Sequence, residues 1–148
     1  MHPNAAASYR KTNVITADPK RLVIMLYEGA IDSIKLAKIK LIAKDFESKN
    51  KALVKAQNII SELLCSLDFE KGGQIAKNLD GLYNYMLRQI LQADLNSDTE
   101  RFDEIIGLLE ELLSAWKTIF SNPNHTVESQ TARFVSNSAP APTDRLAV

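Results

Sequence analysis

Histidine, cysteine and paired carboxylates are the side chains from which a helical protein most readily builds a reactive centre. Their positions in this chain leave little to build with. The 148 residues include two histidines, His2 and His125, and one cysteine, Cys65. Both histidines fall in the terminal stretches, away from every apolar-periodic segment. That removes a helix-borne phosphorylatable histidine and the Glu-x-x-His pairs with which di-iron bundles hold metal. Cys65 has no histidine near it in sequence and no helix start to lower its pKa, which argues against a nucleophile. As the sole cysteine it allows no intrachain disulfide and is compatible with a reducing compartment. The adjacent Glu110 and Glu111 point to different sides of a helix, the pattern of a solvated face rather than an acid/base pair. Gly72-Gly73 matches neither phosphate-cradling glycine motif, and no strand precedes it. No catalytic residue, cofactor or metal is expected, and the chemistry left is that of binding.

The elements carrying these residues read as helix. Asp18 is placed to cap free N–H groups and Pro19 suits the first helical position, so a first helix runs from there to about Lys44. Its inward stripe is Leu22, Leu26, Ala30, Ile34, Ala37 and Leu41, with Val23 and Tyr27 widening the apolar face. A second helix starts between Asp45 and Lys49, carries Leu53, Ala56, Ile60, Leu63 and Leu67, and is predicted to end at a glycine hinge, Gly72-Gly73. The third follows with Ile75, Leu79, Leu82, Met86, Ile90 and Ala93. Ser97-Asp98-Thr99-Glu100 reads as a reciprocal cap opening a fourth, which carries Phe102, Ile105, Ile106, Leu109, Leu112, Leu113, Trp116 and Phe120. Short connections between long helices predict an all-α, antiparallel up-down four-helix bundle over residues 18–120. Residues 1–17 form an N-terminal arm too poor in apolar groups to fold alone. Residues 121–148, rich in Ser, Asn, Thr, Ala and Pro, form a disordered tail.

Eighteen basic and eighteen acidic residues give a formal net charge of +0 and a pI near 6.7. No pull toward nucleic acid or an anionic membrane follows from that. Lysines crowd the early helices and acids the last, an asymmetry suited to holding antiparallel neighbours in register. The first residues lack the basic and apolar regions of a secretory signal, and no span is long and apolar enough for a bilayer, so a cytoplasmic protein without membrane insertion is expected.

Apolar surface in excess of one stripe per helix is the positive signal. Ile24, Ile31 and Ile42 recur in a narrow band roughly opposite the centre of the first helix's inward stripe, at about 100° per residue. Ala76, Tyr83, Leu87 and Leu91 form a line beside the core stripe of the third helix. Such residues either widen the core or line a groove for a partner's amphipathic helices.

The residues also resemble a known family. Ala17-Asp18-Pro19, Leu22, Met25-Leu26-Tyr27-Glu28-Gly29-Ala30 and Lys55-Ala56-Gln57-Asn58-Ile59-Ile60 are similar to successive blocks of the FliS flagellar secretion chaperones. Ser66-Leu67-Asp68, Glu70-Lys71-Gly72-Gly73, Ile75-Ala76, Asn78-Leu79, Leu82-Tyr83, Tyr85-Met86, Gln92-Ala93, Leu95, Asp98 and Ala115-Trp116 continue the match in order. The likeness covers Tyr9 to Trp116. Asp18 stands where the family often has serine and Asp94 where asparagine is usual, and the tail after Phe120 has no family pattern.

The resemblance implies a cytoplasmic chaperone, not an enzyme, that holds the disordered C-terminal segment of flagellin, prevents its premature polymerisation and assists its delivery to the flagellar type III export gate. Other flagellar regulators are further partners in view. On this reading Ile24, Tyr27, Ile31, Ile42, Tyr83, Leu87 and Leu91 bind flagellin, Tyr9 docks on the export gate, and the arm covers part of the groove until the client arrives. A self-associating helical scaffold without a disordered client is the other reading of the same apolar stripes.

Overall fold

The computed structural model describes residues 18–122, in which four helices follow one another: α1 (Pro19–Ile42), α2 (Phe46–Cys65), α3 (Phe69–Asn96) and α4 (Thr99–Ser121). The arm expected at 1–17, with Tyr9, and the tail beyond Asn122 lie outside the described residues.

An aspartate starts every helix. The carboxylates of Asp18, Asp45 and Asp98 accept from the backbone N–H groups of Arg21 (2.8 Å), Ser48 (3.2 Å) and Arg101 (3.2 Å), and Asp68 accepts from Glu70 and Lys71 (both 3.0 Å). Each satisfies donors that a helix leaves free at its N-terminus. The serine expected to cap the last helix has the opposite job: Ser97 ends α3 in a left-handed conformation (φ 50°), and Asp98 is the cap. The second correction concerns the glycine hinge. The turn between α2 and α3 is Ser66–Asp68, closed by a 2.8 Å bond from the Ser66 hydroxyl to the Leu63 carbonyl, and Asp68 caps α3 before the glycines are reached. Gly73 does take a positive φ (49°, with ψ −125°), but it kinks α3 instead of ending α2.

The helices form a square ring in which α1 and α3 each lie between α2 and α4, the α1–α2 seam being the most intimate. Gly29 shows how close that seam is, because a Cβ there would come within 3.1 Å of Ile59 Cδ1. Antiparallel register is visible in the ion pairs between α1 and α4. As the lysine moves up α1 from Lys35 to Lys38, its acidic partner moves down α4 from Glu110 (3.2 Å) to Asp103 (2.7 Å). The early-basic, late-acidic charge pattern therefore does set neighbours in register, although exposed pairs of this kind each contribute under about 1 kcal/mol. Stability comes from the interior, where Tyr27, Ile34, Ile60, Leu82, Met86, Ile90, Phe102, Ile105 and Leu109 are inaccessible to solvent. Each buries apolar surface worth roughly 1.5–3 kcal/mol. None of the described helices is long and apolar enough to cross a membrane.

Candidate functional site

The stripes that fill the middle of the bundle run short at one end. Where α1 and α3 begin and α2 and α4 finish, an apolar cavity of about 580 Å³ opens. Val23 of α1 and Trp116 of α4 form one side, Leu63 near the close of α2 and Leu67 in the turn after it another, and Ile75, Ala76, Leu79 and Tyr83 of α3 a third. Ser66, Asp68, Lys71 and Gly72 complete the lining along the α2–α3 turn. The kink at Gly73 lies between this turn and the straight part of α3. Both described chain ends leave the bundle on this side, since α1 starts and α4 stops there.

The cavity's inner wall meets a buried polar cluster. Tyr27 of α1 and Tyr83 of α3 share a 2.5 Å hydrogen bond across the bundle diagonal, with ring centroids 6.4 Å apart. Burial disfavours the phenolate of both: Tyr27 is pushed up to about 12, an effect partly offset by the Tyr83 hydroxyl and the nearby Trp116 indole, and Tyr83 is raised well above the ordinary tyrosine value. The indole N–H of Trp116 is buried and makes no hydrogen bond of good geometry, although it lies close enough to the Tyr27 hydroxyl to be felt there. The Trp116 ring stacks on Phe120 at 5.5 Å, and the Lys20 ammonium sits 6.0 Å above the Phe120 ring.

The seven residues expected along one groove are not brought together. Tyr83 lines the cavity, but through a side chain only 2% exposed, and Tyr27 behind it is wholly buried. Ile31, expected to be a surface group, is 5% exposed and belongs to the core. The reason is that a helix in a square ring has two neighbours. Lys38 lies seven residues from Ile31, on the same line of α1, and pairs with Asp103 of α4, so this line faces α4 rather than solvent. Ile24 is half-buried, as is Leu87, which packs against the core. Only Ile42 and Leu91 are exposed, and both lie toward the end opposite the cavity. Val23, Leu63, Leu67, Ile75, Leu79 and Trp116, which do line the cavity, read in sequence as core or stripe residues. Their one distinguishing sign was position, toward the ends of their stripes.

An all-α bundle of four antiparallel helices, opening at one end into an apolar cavity, is the class of protein that fold and site define. Residues 2–123 match the family described as "Flagellar protein FliS". The chain is 45% identical over 107 residues to the flagellar secretion chaperone FliS of Salmonella typhimurium, covering 72% of this chain and 79% of that protein. It is 36% identical over 114 residues to the flagellar secretion chaperone FliS of Bacillus subtilis (77% and 84% covered) and 38% identical over 116 residues to that of Vibrio cholerae (76% and 85%). The chain belongs to the FliS family of flagellar secretion chaperones.

Proposed function

We propose that this chain is an export chaperone for flagellin: it binds the disordered C-terminal segment of the newly made subunit, keeps it from polymerising and assists its delivery to the flagellar export gate. The observation that carries the reading is the apolar end cavity, about 580 Å³ and bounded by all four helices. A segment that folds on binding must offset its ordering cost, and an apolar recess does so without nucleotide or covalent chemistry. The names of the relatives, flagellar secretion chaperones, agree with a client in that system. Delivery through Tyr9, and an arm displaced by the client, complete the reading as proposals of the family resemblance.

Titration calorimetry with the recombinant C-terminal segment of flagellin tests it. The full chain should form a complex with a negative heat-capacity change, and Leu67→Asp, which sets a charge on the cavity wall, should weaken it by about tenfold or more. Absence of a complex, with concentration-dependent self-association instead, would replace this reading by the helical scaffold.

A further inference from the structure

We propose that the end cavity seats a segment of this chain's own tail, Arg133-Phe134-Val135, in the client-free protein, so that flagellin has to displace it. The seat follows from the cavity and the chain; the competition rests on the reading of the cavity as the client's site. Where the tail starts is the first observation. α4 ends at the cavity, and Trp116 of the lining lies only five residues, about 7.5 Å of helix, before Ser121. Asn122 has already left the helix (φ −131°, ψ 83°), as a residue before proline tends to, and Pro123 does not continue it. Twenty-six residues, 123–148, follow. Eleven of them, 123–133, separate Asn122 from Phe134. A flexible linker of that length spans about 17–20 Å, at least twice the helix between Trp116 and the tail.

The chemistry of the segment is the second observation. Phe134-Val135 is the only adjacent pair of apolar side chains larger than alanine beyond Asn122. At about 580 Å³ the recess has room for an aromatic ring and its neighbour, and Trp116 stacked on Phe120 (5.5 Å) gives it an aromatic wall. Arg133 beside the pair meets complementary charge, because at the α2–α3 turn the exposed acids Asp68 and Glu70 outnumber Lys71. Asp68 Oδ1 accepts from the N–H groups of Glu70 and Lys71, and its Oδ2 has no partner among the described residues, which leaves it to the Arg133 guanidinium. Tethering does the rest. A short linker holds the segment at about 1 mM, so a contact with a dissociation constant of only about 0.1 mM fills the cavity roughly nine-tenths of the time. Client binding is then about tenfold weaker than to an empty cavity. The family match stops at residue 123, so the segment is a feature of this chain rather than of the matched region.

Cys65 supplies the probe, being exposed, the only cysteine, and set between Leu63 and Ser66 of the lining. In full-length protein carrying a nitroxide on Cys65, the amide resonances of residues 131–136 should be broadened well beyond those of 126–130, which precede them in the chain. A saturating amount of the recombinant C-terminal flagellin segment should restore them. Phe134→Asp should abolish the broadening and tighten flagellin binding about tenfold by calorimetry. Arg133→Gln should do part of each, an effect that vanishes at high salt. Broadening that simply fades with distance from Asn122, or that falls on Val14 and Ile15 of the arm in place of the tail, would overturn the seat. So would broadening passed to isotope-labelled chains from separate nitroxide-bearing chains, since the occupant would then be a second copy. Localised broadening that bound flagellin does not relieve, with affinity indifferent to Phe134→Asp, would uphold the seat and refute the cavity as the client's site, and with it the competition.

Discussion

The two ends of the bundle are built from the same helices and finished in opposite ways. Where α1 and α3 end and α2 and α4 begin, polar clamps tie the elements: the Lys49 ammonium bonds the Asp94 carboxylate, and Arg101 reaches Gln89 (2.5 Å) and Asp98 (3.3 Å). At the other end, the described residues offer the Lys117–Glu28 ion pair between α4 and α1 (3.8 Å) beside the apolar cavity and a kinked α3. Exposed apolar groups also occur at the clamped end, with Ile39, Ile42, Phe46, Leu91 and Leu95 at least half exposed. They are half-exposed or more, whereas the cavity is a recess lined by residues of all four helices. Shelter, rather than apolar content, distinguishes the two ends.

The largest effect expected from breaking this contrast is at Lys49, whose side chain is 9% exposed while that of Asp94 is 30% exposed. Asp94→Ala would leave a buried ammonium without a counter-charge and should cost about 2–4 kcal/mol, somewhat below the range for fully buried pairs because Asp94 is partly solvated. Adding Lys49→Met should restore most of the loss, since an apolar side chain of similar length needs no partner. Urea denaturation of the single and double variants measures both. If Asp94→Ala were neutral, the clamp would not hold this end.

Much of this was legible in the sequence for a physical reason: apolar stripes with helical period have to face inward, and capping chemistry is local. Asp18 with Pro19 marked the start of α1, and the stripes of Leu26, Ile60, Leu82 and Leu109 ran into the core. Two local signals competed at the α2–α3 connection, where the aspartate cap at 68 ended the turn before the glycines could. Ile31 was misplaced because a wheel drawn for one helix does not know that its flank meets α4. The cavity was hidden most completely. Leu63, Ile75 and Trp116 have the spacing of core residues, and only the assembled helices show that they line a recess.

A smaller effect follows from the tyrosine pair behind the cavity. Because the folded pKa of Tyr27 is raised from 10.0 to about 12, its neutral form is favoured by folding. That contribution is present in full below pH 10 and is lost as pH rises through 10 toward 12, by about 2–3 kcal/mol at 1.36 kcal/mol per unit. Tyr83 titrates in the same direction. Denaturant midpoints at pH 9 and pH 11.5 should therefore fall further apart for the wild type than for Tyr27→Phe/Tyr83→Phe, which cancels the shared lysine contribution. Equal falls would show that the hydroxyls meet water and that the cavity's inner wall is wet.

The smallest expected effect belongs to the clamped end, where α1 and α3 stop in the same way. Lys44 and Ser97 both take left-handed conformations (φ 61° and 50°) just past the helix. The next N–H reaches back five residues in each case: Asp45 to the Lys40 carbonyl and Asp98 to the Ala93 carbonyl, both at 2.9 Å. Glycine is the residue that this stop ordinarily employs, because a Cβ is strained at positive φ. Lys44→Gly and Ser97→Gly should each relieve that strain, offset in part by the added freedom of the unfolded chain, for a net gain of about 0.5 kcal/mol. The two sites lie in separate turns with separate backbone hydrogen bonds, so the gains should add. Neither turn lines the cavity, so thermal melts of the double variant should shift upward by a few degrees while affinity for the flagellin segment stays unchanged. A change in affinity would mean that the two ends are coupled through the length of the bundle, and that the clamped end helps set the shape of the open one.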